Sequence, residues 1–323
     1  MREYESCFAP LLQDFIRYRK SSGRWNEASY GPNLRVFDRY CRINYPDEAV
    51  LTQEMVASWC RQRKTETNNS CRSRIYVVCS FVKYLSEREL SKICLPELPR
   101  KERSIYVPYA FAQDEIRLFF EACDNLPDTP KTKNVLIRRI TVPVFFRLLY
   151  SSGIRTTEAR LLGTADVDLG NGILNIRYSK GHDQHYIVLH DSMLGLMRRY
   201  DNAIRRWYPD RTIFFPAPDD HPHPHTWVEK NFRRIWSGIS ADRHATSYAF
   251  RHHYATANIN LWIDDGFAFD DKLTYLSKRM GHTTLESTRY YYSIVPGLSK
   301  LLLEKTEQGF NELVPEVSDE DWE

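Results

Sequence analysis

Apolar residues recur at helical spacing along the first ninety residues of the chain. Four stripes are present, around Leu12, Phe37, Val56 and Val78, and each repeats its apolar positions every three to four residues. Serine, glycine, proline and asparagine residues separate the stripes and are typical of turns and helix caps. The pattern therefore predicts a four-helix unit over residues 1–95.

Residues 96–110 break this pattern. They contain three prolines and no apolar period, which is typical of an extended linker. Two further helices are predicted after it, from Gln113 to Cys123 and from Lys133 to Ser151. The chain thus predicts a second unit that begins near residue 111.

The sequence pattern changes from helical to strand-like in the middle of the second unit. Strand-like runs cover Asp166–Leu169, Ile173–Tyr178 and Tyr186–Leu189. The intervening Gly170-Asn171-Gly172 and Lys180-Gly181-His182-Asp183 are good hairpin turns. Helical patterns then return, so the predicted fold class is mainly α with a small antiparallel β-sheet.

Composition fits a globular protein of two domains. The chain has 323 residues, of which 42% are apolar and 27% charged, and it has no apolar run long enough to span a membrane. Its seven cysteines include no Cys-x-x-Cys pair, which favours reduced thiols. The first residues lack the layout of a secretory signal, so we expect a cytoplasmic, nucleoid-associated protein.

Charge is unevenly distributed along the chain. The net charge is +3, but residues 1–103 hold 19 Lys and Arg against 13 Asp and Glu, whereas residues 304–323 hold 1 against 8. A basic body with an acidic tail favours a polyanionic partner, although a solvated basic face explains the first part equally well. The candidate DNA contacts are Arg61, Arg63, Lys64, Arg72, Arg74, Arg100, Lys101 and Arg103.

Common catalytic and metal-binding motifs are missing from the sequence. It has no Gly-rich phosphate loop, no His-Glu-x-x-His, no Gly-x-Ser-x-Gly and no EF-hand loop. The run from His221 to His225 alternates histidine with proline. Because prolines hold the backbone extended there, a surface loop is favoured over a metal site, and we expect no metal.

Several polar residues stand out by their order and spacing. Taken alone, each has an ordinary interpretation, such as a local ion pair, a turn lysine or core aromatics. Together they form four ordered boxes: Gly153-x-Arg155-x-x-Glu158, Lys180 in a hairpin, Tyr248-x-x-Arg251-His252, and Gly281-His282 followed nine residues later by Tyr291.

These boxes resemble the catalytic domain of the tyrosine recombinases, the phage-integrase and Xer-type family. The resemblance covers roughly residues 112–295 and is specific, since four boxes match in order and spacing. It implies an N-terminal helical core-binding (SAM-like) domain at 1–95, a linker at 96–110, and a catalytic domain at 111–297. A C-terminal helix and acidic tail then occupy 298–323.

The resemblance also implies the chemistry. Tyr291 attacks a DNA phosphodiester and forms a 3′-phosphotyrosine, while Arg155, Arg251 and His282 hold the phosphate. Lys180 protonates the departing 5′ oxygen, and Glu158 supports Arg155. Because the covalent intermediate stores the bond energy, we expect no cofactor. The offset from His282 favours Tyr291 over Tyr290 and Tyr292 as the nucleophile.

One box departs from the family pattern. The second box usually reads His-x-x-Arg, and here Tyr248 occupies the histidine position. A tyrosine hydroxyl can still donate a hydrogen bond, but a phenol is a poorer base than imidazole near neutral pH. Either the base is dispensable, or a neighbour such as His252 or His253 partly replaces it.

The implied partners follow from the family. They are double-stranded DNA with inverted-repeat core sites and three further copies of the chain in a tetramer, joined through a Holliday junction. The helix at 298–304 packs in trans on a neighbouring copy or in cis on its own domain. A bacterial or phage source and a mobile genetic element are expected. The alternatives are a type IB topoisomerase and a catalytically silent DNA-binding regulator.

Overall fold

The chain forms two compact units, Met1–Ile105 and Tyr106–Glu323, in a computed structural model. The structure describes residues 4–102, 107–127, 129–177, 184–261, 268–282, 284 and 286–289. Several predicted features lie outside these residues. They are Arg103, the turn at Lys180–Asp183, Tyr291 with its neighbouring tyrosines, and the segment 298–323.

Helices dominate both units, as the apolar periodicity predicts. The described part of the first unit contains α1 (Ala9–Ser21), α2 (Glu27–Asn44), α3 (Gln53–Cys60) and α4 (Asn68–Ser86). The described part of the second contains α5 (Gln113–Asp124), α6 (Lys133–Ser152), α7 (Thr156–Arg160), α8 (Asp191–Ile204), α9 (His225–Trp236), α10 (Ala249–Leu261), α11 (Ala268–Arg279) and α12 (Glu286–Arg289). The predicted fold class is confirmed.

The first unit is held together by the four predicted apolar stripes. Leu12, Phe37, Val56 and Val78, one from each helix, are fully buried in one core. Burying a side chain of this size contributes about 1.5–3 kcal/mol, so the stripes supply the driving force for this unit. Polar side chains set three of the helix starts: Asn26, Thr52 and Thr67 each accept a hydrogen bond from a backbone N–H of the first turn.

Phenylalanines organise the core of the second unit. Phe119 of α5 lies with its ring 5.3 Å from those of Phe146 in α6 and Phe232 in α9, and 5.2 Å from that of Phe250 in α10. Aromatic pairs at this spacing add to the gain from burial. Because Phe250 precedes Arg251, the cluster fixes where α10 presents that arginine relative to α6.

A three-stranded antiparallel sheet accompanies the helices. Its strands are β1 (Val167–Asp168), β2 (Ile173–Ile176) and β3 (His185–Val188), in the order β1-β2-β3. The first turn needs Gly172, whose φ is +69° and whose N–H donates to the Asp168 carbonyl at 2.9 Å. The strands of the predicted hairpin are thus confirmed, and Ile176 pairs with His185 at the end nearest Lys180 in the sequence.

Part of the predicted linker is bound to the first unit. The side-chain amide of Asn69 in α4 donates to the Glu102 carbonyl at 2.8 Å and accepts from the Glu102 N–H at 3.1 Å. Arg72 donates to the Pro99 carbonyl at 3.0 Å. Residues 99–102 therefore lie along α4, which places Lys101 beside that helix.

The histidine–proline run lies at the surface as predicted at His221 and His225, but one of its residues is buried. His223 at its centre is 7% exposed, and its ring stacks on Trp227 with centroids 3.9 Å apart. The sequence pattern could not indicate this burial, because the covering surface comes from α9.

Within the described residues, the helices lack the length and apolar character that a membrane span requires.

Candidate active site

Two glycines create the backbone frame of the site. Gly153 ends α6 at a φ of +66°, and a Cβ there would lie 2.4 Å from the Tyr254 ring. Gly281 follows α11 at a φ of +60°, and a Cβ there would lie 2.7 Å from Cε1 of His185. Only glycine fits either place, since a side chain would be strained and would clash.

Arg155 stands directly after the first of these turns. Its Nη1 lies 2.5 Å from Oε1 of Glu158, and its Nη2 donates to the Gly281 carbonyl at 2.7 Å. The other Glu158 oxygen accepts from the backbone N–H of Arg155 at 2.9 Å, which caps α7. Glu158 is buried, so it orients Arg155 through both the side chain and the backbone.

Arg251 joins the two glycine turns. Its side chain is buried, with Nη1 donating to the Gly153 carbonyl at 2.6 Å and Nη2 to the Met280 carbonyl at 2.5 Å. Nη2 also lies 3.1 Å from Nε2 of His282. The planar guanidinium can span these groups because its donors point in fixed directions. Arg155, Arg251 and His282 thus meet as the sequence boxes predict.

His282 is held neutral by its surroundings. Burial, followed by the positive charges of Arg251 and Arg155, lowers the pKa of His282 to about 3. Its Nδ1 lies 2.7 Å from the Thr288 hydroxyl. Because Arg251 is only a donor, Nε2 accepts from it and the ring proton resides on Nδ1, where it is donated to Thr288. The Nε2 lone pair is therefore turned toward the arginine.

Tyr248 lies one residue before α10 rather than within it. Its carbonyl accepts from the Arg251 N–H at 3.1 Å, and its side chain is 40% exposed. Its ring packs edge-on against His252, with centroids 5.0 Å apart. Burial and Arg251 lower the pKa of His252 to about 4, so this imidazole is neutral near pH 7. Tyr248 remains at the surface, above a buried histidine.

His185 is a site residue that the sequence analysis missed. It begins β3, where its ring packs against Gly281, and its charge contributes to lowering the pKa of His282. Its position five residues after Lys180 was the available signal, since an antiparallel hairpin brings both sides of its turn to one end of the sheet. Lys180 and Tyr291 themselves lie outside the described residues.

The basic residues of the first unit divide into two groups. Arg61, Arg63, Lys64, Arg100 and Lys101 are exposed, and Arg72 is half-buried. Arg72 and Lys101 line a cavity of about 540 Å³ together with Asn26, which caps α2, and with Asn69 and Tyr76 of α4.

Arg74 is a correction to the predicted DNA contacts. Its side chain is buried, and its Nη2 pairs with Oε2 of Glu66 at 2.7 Å. It also donates to the carbonyls of Trp59 and Arg61. Arg74 therefore stabilises the interior of the first unit and does not face a DNA phosphate. The sequence could not indicate the burial of Arg74, because it lies among exposed basic residues and only the packing of the helices decides which of them is buried.

No group of three or more His, Cys, Asp or Glu side chains within the described part of the chain is arranged to hold a metal ion. The candidate site is instead a cluster of two guanidinium donors and one neutral imidazole. Such a cluster suits a phosphate group, since planar guanidinium donors match its non-bridging oxygens.

Comparison with known proteins agrees with this geometry. A model of the phage integrase family matches residues 110–296, more than half of the chain. A putative integrase/recombinase of Sinorhizobium fredii is 24% identical, over 96% of this chain and 98% of that protein. The tyrosine recombinase XerC of Bacillus subtilis is 23% identical, over 93% and 94% of the two chains.

Two solved structures share the fold at low sequence identity. The site-specific recombinase XerH, bound to a palindromic difH substrate, has a TM-score of 0.60 and 16% identity, covering 93% of this chain and 84% of that chain. A lambda integrase tetramer bound to a Holliday junction has a TM-score of 0.54 and 16% identity, covering 84% and 77%.

Proposed function

The chain belongs to the phage integrase family of tyrosine recombinases, and we propose that it cuts and rejoins DNA at specific sites through a 3′-phosphotyrosine on Tyr291. One observation carries this proposal. Arg155, Arg251 and His282 come from three distant segments and meet at the turn after α11, where the two arginines donate to the adjacent carbonyls of Gly281 and Met280 and Arg251 contacts His282. A structural role alone would not need this convergence of donors.

The arginines hold and activate the phosphate in the proposed reaction. Arg155 and Arg251 now donate to the carbonyls of Gly281, Gly153 and Met280. A bound phosphodiester replaces some of these neutral acceptors with charged oxygens, which accept stronger hydrogen bonds. The same donors stabilise the negative charge that develops in the pentavalent transition state.

His282 contributes the third phosphate contact. In the DNA-free chain its Nε2 accepts from Arg251, so it has no proton to give there. When Arg251 turns to the phosphate, transfer of the ring proton to Nε2 lets His282 donate as well. Thr288 then acts as the donor to Nδ1, because a hydroxyl both donates and accepts.

The bond changes follow from the family resemblance. The Tyr291 oxygen forms a bond to phosphorus while the bond to the 5′ oxygen breaks, and Lys180 protonates that leaving oxygen. The phenolic proton of Tyr291 is lost to solvent as the new bond forms, since Tyr248 replaces the family histidine and His252 is a weak base. Rejoining reverses these steps with the 5′ hydroxyl of another strand.

We propose the following partners on the same basis. Double-stranded DNA with inverted-repeat core sites contacts both units, and the exposed Arg61, Arg63, Lys64, Arg100 and Lys101 bind its phosphates in the first. Four copies assemble on two sites and exchange strands through a Holliday junction, with the segment 298–304 packing in trans. Support comes from structural relatives solved on DNA, including a tetramer on such a junction.

Covalent capture on DNA tests the reaction. Tagged protein is incubated with sheared DNA of its source genome, denatured in detergent and recovered, and the attached 3′ ends are sequenced. A nicked duplex of the recovered sequence then traps the adduct. We expect Tyr291→Phe to abolish trapping, while Tyr290→Phe and Tyr292→Phe retain it as matched controls.

Three other results of this experiment would contradict the assigned nucleophile or favour a different function. Trapping that persists in Tyr291→Phe would contradict the assigned nucleophile. Relaxation of a supercoiled plasmid that lacks the recovered sequence would favour a type IB topoisomerase. Site-specific binding with no adduct would favour a silent DNA-binding regulator, which the tyrosine at position 248 makes worth testing.

A further inference from the structure

A second cleft lies in the catalytic unit, apart from the residues assigned to the phosphate site. It has a volume of about 310 Å³ and is bordered by the first half of α6, the first turn of α9, Tyr208 and the segments 216–218 and 223–224. This volume is at the small end of the range for ligand-binding pockets. The cleft therefore accommodates a molecule the size of one or two aromatic rings.

The walls of this cleft are mainly apolar. Ile137, Tyr208, Pro216 and Trp227 are among the apolar and aromatic lining residues, and no Asp or Glu occurs among the lining residues that the structure describes. A planar apolar body would pack well on such walls. The polar groups are concentrated in a few side chains, as in binding sites that orient a ligand by one end.

Arg138 provides the first of these polar groups. Its Nε donates to Oδ1 of Asn231 at 2.6 Å, and Asn231 is fixed in turn by donating to the Trp227 carbonyl at 2.8 Å. Its Nη2 is buried and has no acceptor in the part of the chain that the structure describes. A buried guanidinium nitrogen of this kind favours an anionic acceptor.

His223 provides the second. It is more than nine-tenths buried, and its Nε2 has no hydrogen-bond partner among the described residues. Stacking on Trp227 and a hydrogen bond from Arg160 to the His223 carbonyl fix its position. Burial and Arg160 lower the pKa of this histidine to about 4, so it is neutral near pH 7 and has one N–H to donate.

We propose that this cleft binds small aromatic carboxylates. The carboxylate accepts from Nη2 of Arg138 and from the N–H of His223 after a small adjustment of both side chains, since neither nitrogen is accessible in the ligand-free chain. The ring packs between Tyr208, Pro216 and Trp227. A carboxylate suits the site better than a phosphate. It carries a single charge and loses less hydration, and two buried donors would leave the additional oxygens of a phosphate without partners.

Calorimetric titration of the full chain with 1-naphthoate tests this proposal. We expect saturable binding to the unmodified protein and at least tenfold weaker binding to Arg138→Gln. The exposed neighbour Arg139→Gln is the matched control, because it removes the same charge one position along α6. It should leave the affinity unchanged. Circular dichroism verifies that each variant is folded.

A neutral probe provides a second measurement that needs no variant. 1-Naphthalenemethanol has the same ring without the charge, so it should bind the unmodified protein at least tenfold more weakly than 1-naphthoate. Its affinity should not fall further in Arg138→Gln. A cleft filled by water alone would give no saturable heat with either probe, and this result would overturn the proposal.

Non-specific attraction is also distinguishable. Equal loss of binding in Arg138→Gln and Arg139→Gln, or equal affinity for the two probes, would overturn the proposal. None of these measurements uses DNA or strand cleavage. The outcome is therefore independent of whether Tyr291 forms a covalent adduct.

Discussion

Two buried arginines, one in each unit, show how similar residues serve different purposes. Arg74 and Arg251 are 6% and 2% exposed, and both donate to backbone carbonyls. Arg74 also pairs with the carboxylate of Glu66, eight residues earlier in the chain. Arg251 instead lies against the imidazole of His282 and donates to carbonyls from two distant segments.

The two guanidinium groups differ in the charge of the acceptors to which they donate. The Glu66 carboxylate, with a pKa lowered to about 2 by its hydrogen bond from Arg74, neutralises that arginine over the whole physiological range. Carbonyl oxygens are neutral, so the bonds from Arg251 to Gly153 and Met280 leave the charge of this guanidinium in place. Burial alone therefore does not distinguish the two arginines. They differ in the charge of their acceptors.

The largest expected effect concerns the stability of the first unit. Arg74→Met leaves the Glu66 carboxylate largely buried without its partner, which should lower the free energy of unfolding by about 3–5 kcal/mol. Hydrogen exchange followed by mass spectrometry should show this loss in α4 and not in α6. Lys64→Met, at an exposed position, should change it by less than about 0.5 kcal/mol. An equal loss in both variants would remove the contrast between the two arginines.

The next effect concerns catalysis. Arg251→Lys keeps the charge but loses the planar fork, so adduct formation on saturating nicked site DNA should slow by about 10²–10³-fold. The exposed Arg243→Lys is the matched control and should keep the normal rate. Hydrogen exchange in α6 and α10 shows whether the variant remains folded. A normal rate in folded Arg251→Lys would place this arginine with Arg74, as a structural residue.

The smallest effect concerns the protonation of His282. Because its pKa is lowered to about 3, nitrogen-15 NMR should show a neutral ring with the proton on Nδ1 from pH 5 to 8. Arg251→Met should raise this pKa, since the charge of Arg251 is one of its causes. An unfolded histidine binds its proton near pH 6.5, so this residue makes the fold less stable as the pH falls from about 6.5 toward 3. A ring already protonated at pH 6 would contradict the arrangement with Arg251.

The fold was largely predictable because it rests on local periodicity. The stripes around Leu12, Phe37, Val56 and Val78 each correspond to a helix of one core, and the glycine-rich turn at Gly172 joins two strands. Apolar spacing and turn residues act over a few positions, so they are visible in the sequence. The assigned roles of Lys180 and Tyr291 stay predictions.

Other residues were not predictable because their environment comes from distant segments. Arg74 looks like its exposed neighbours, and its burial depends on how α3 and α4 pack. His223 lies in a proline-rich run, and the Trp227 ring of α9 covers it. His185 belongs to none of the four sequence boxes. Its ring packs against Gly281, where the lack of a side chain leaves room for it.

Residue spacing along the chain is enough to predict the two units, the mainly helical class, the antiparallel strand pair and the order of the four boxes, because spacing records which residues share a face or a turn. Only the packing of the folded chain shows which arginine pairs with a carboxylate and which donates to neutral backbone carbonyls. It also decided which histidines are neutral and where a second cleft opens. These properties depend on burial and on partners as far as 126 residues away, as with Arg155 and Gly281, and local patterns do not encode them.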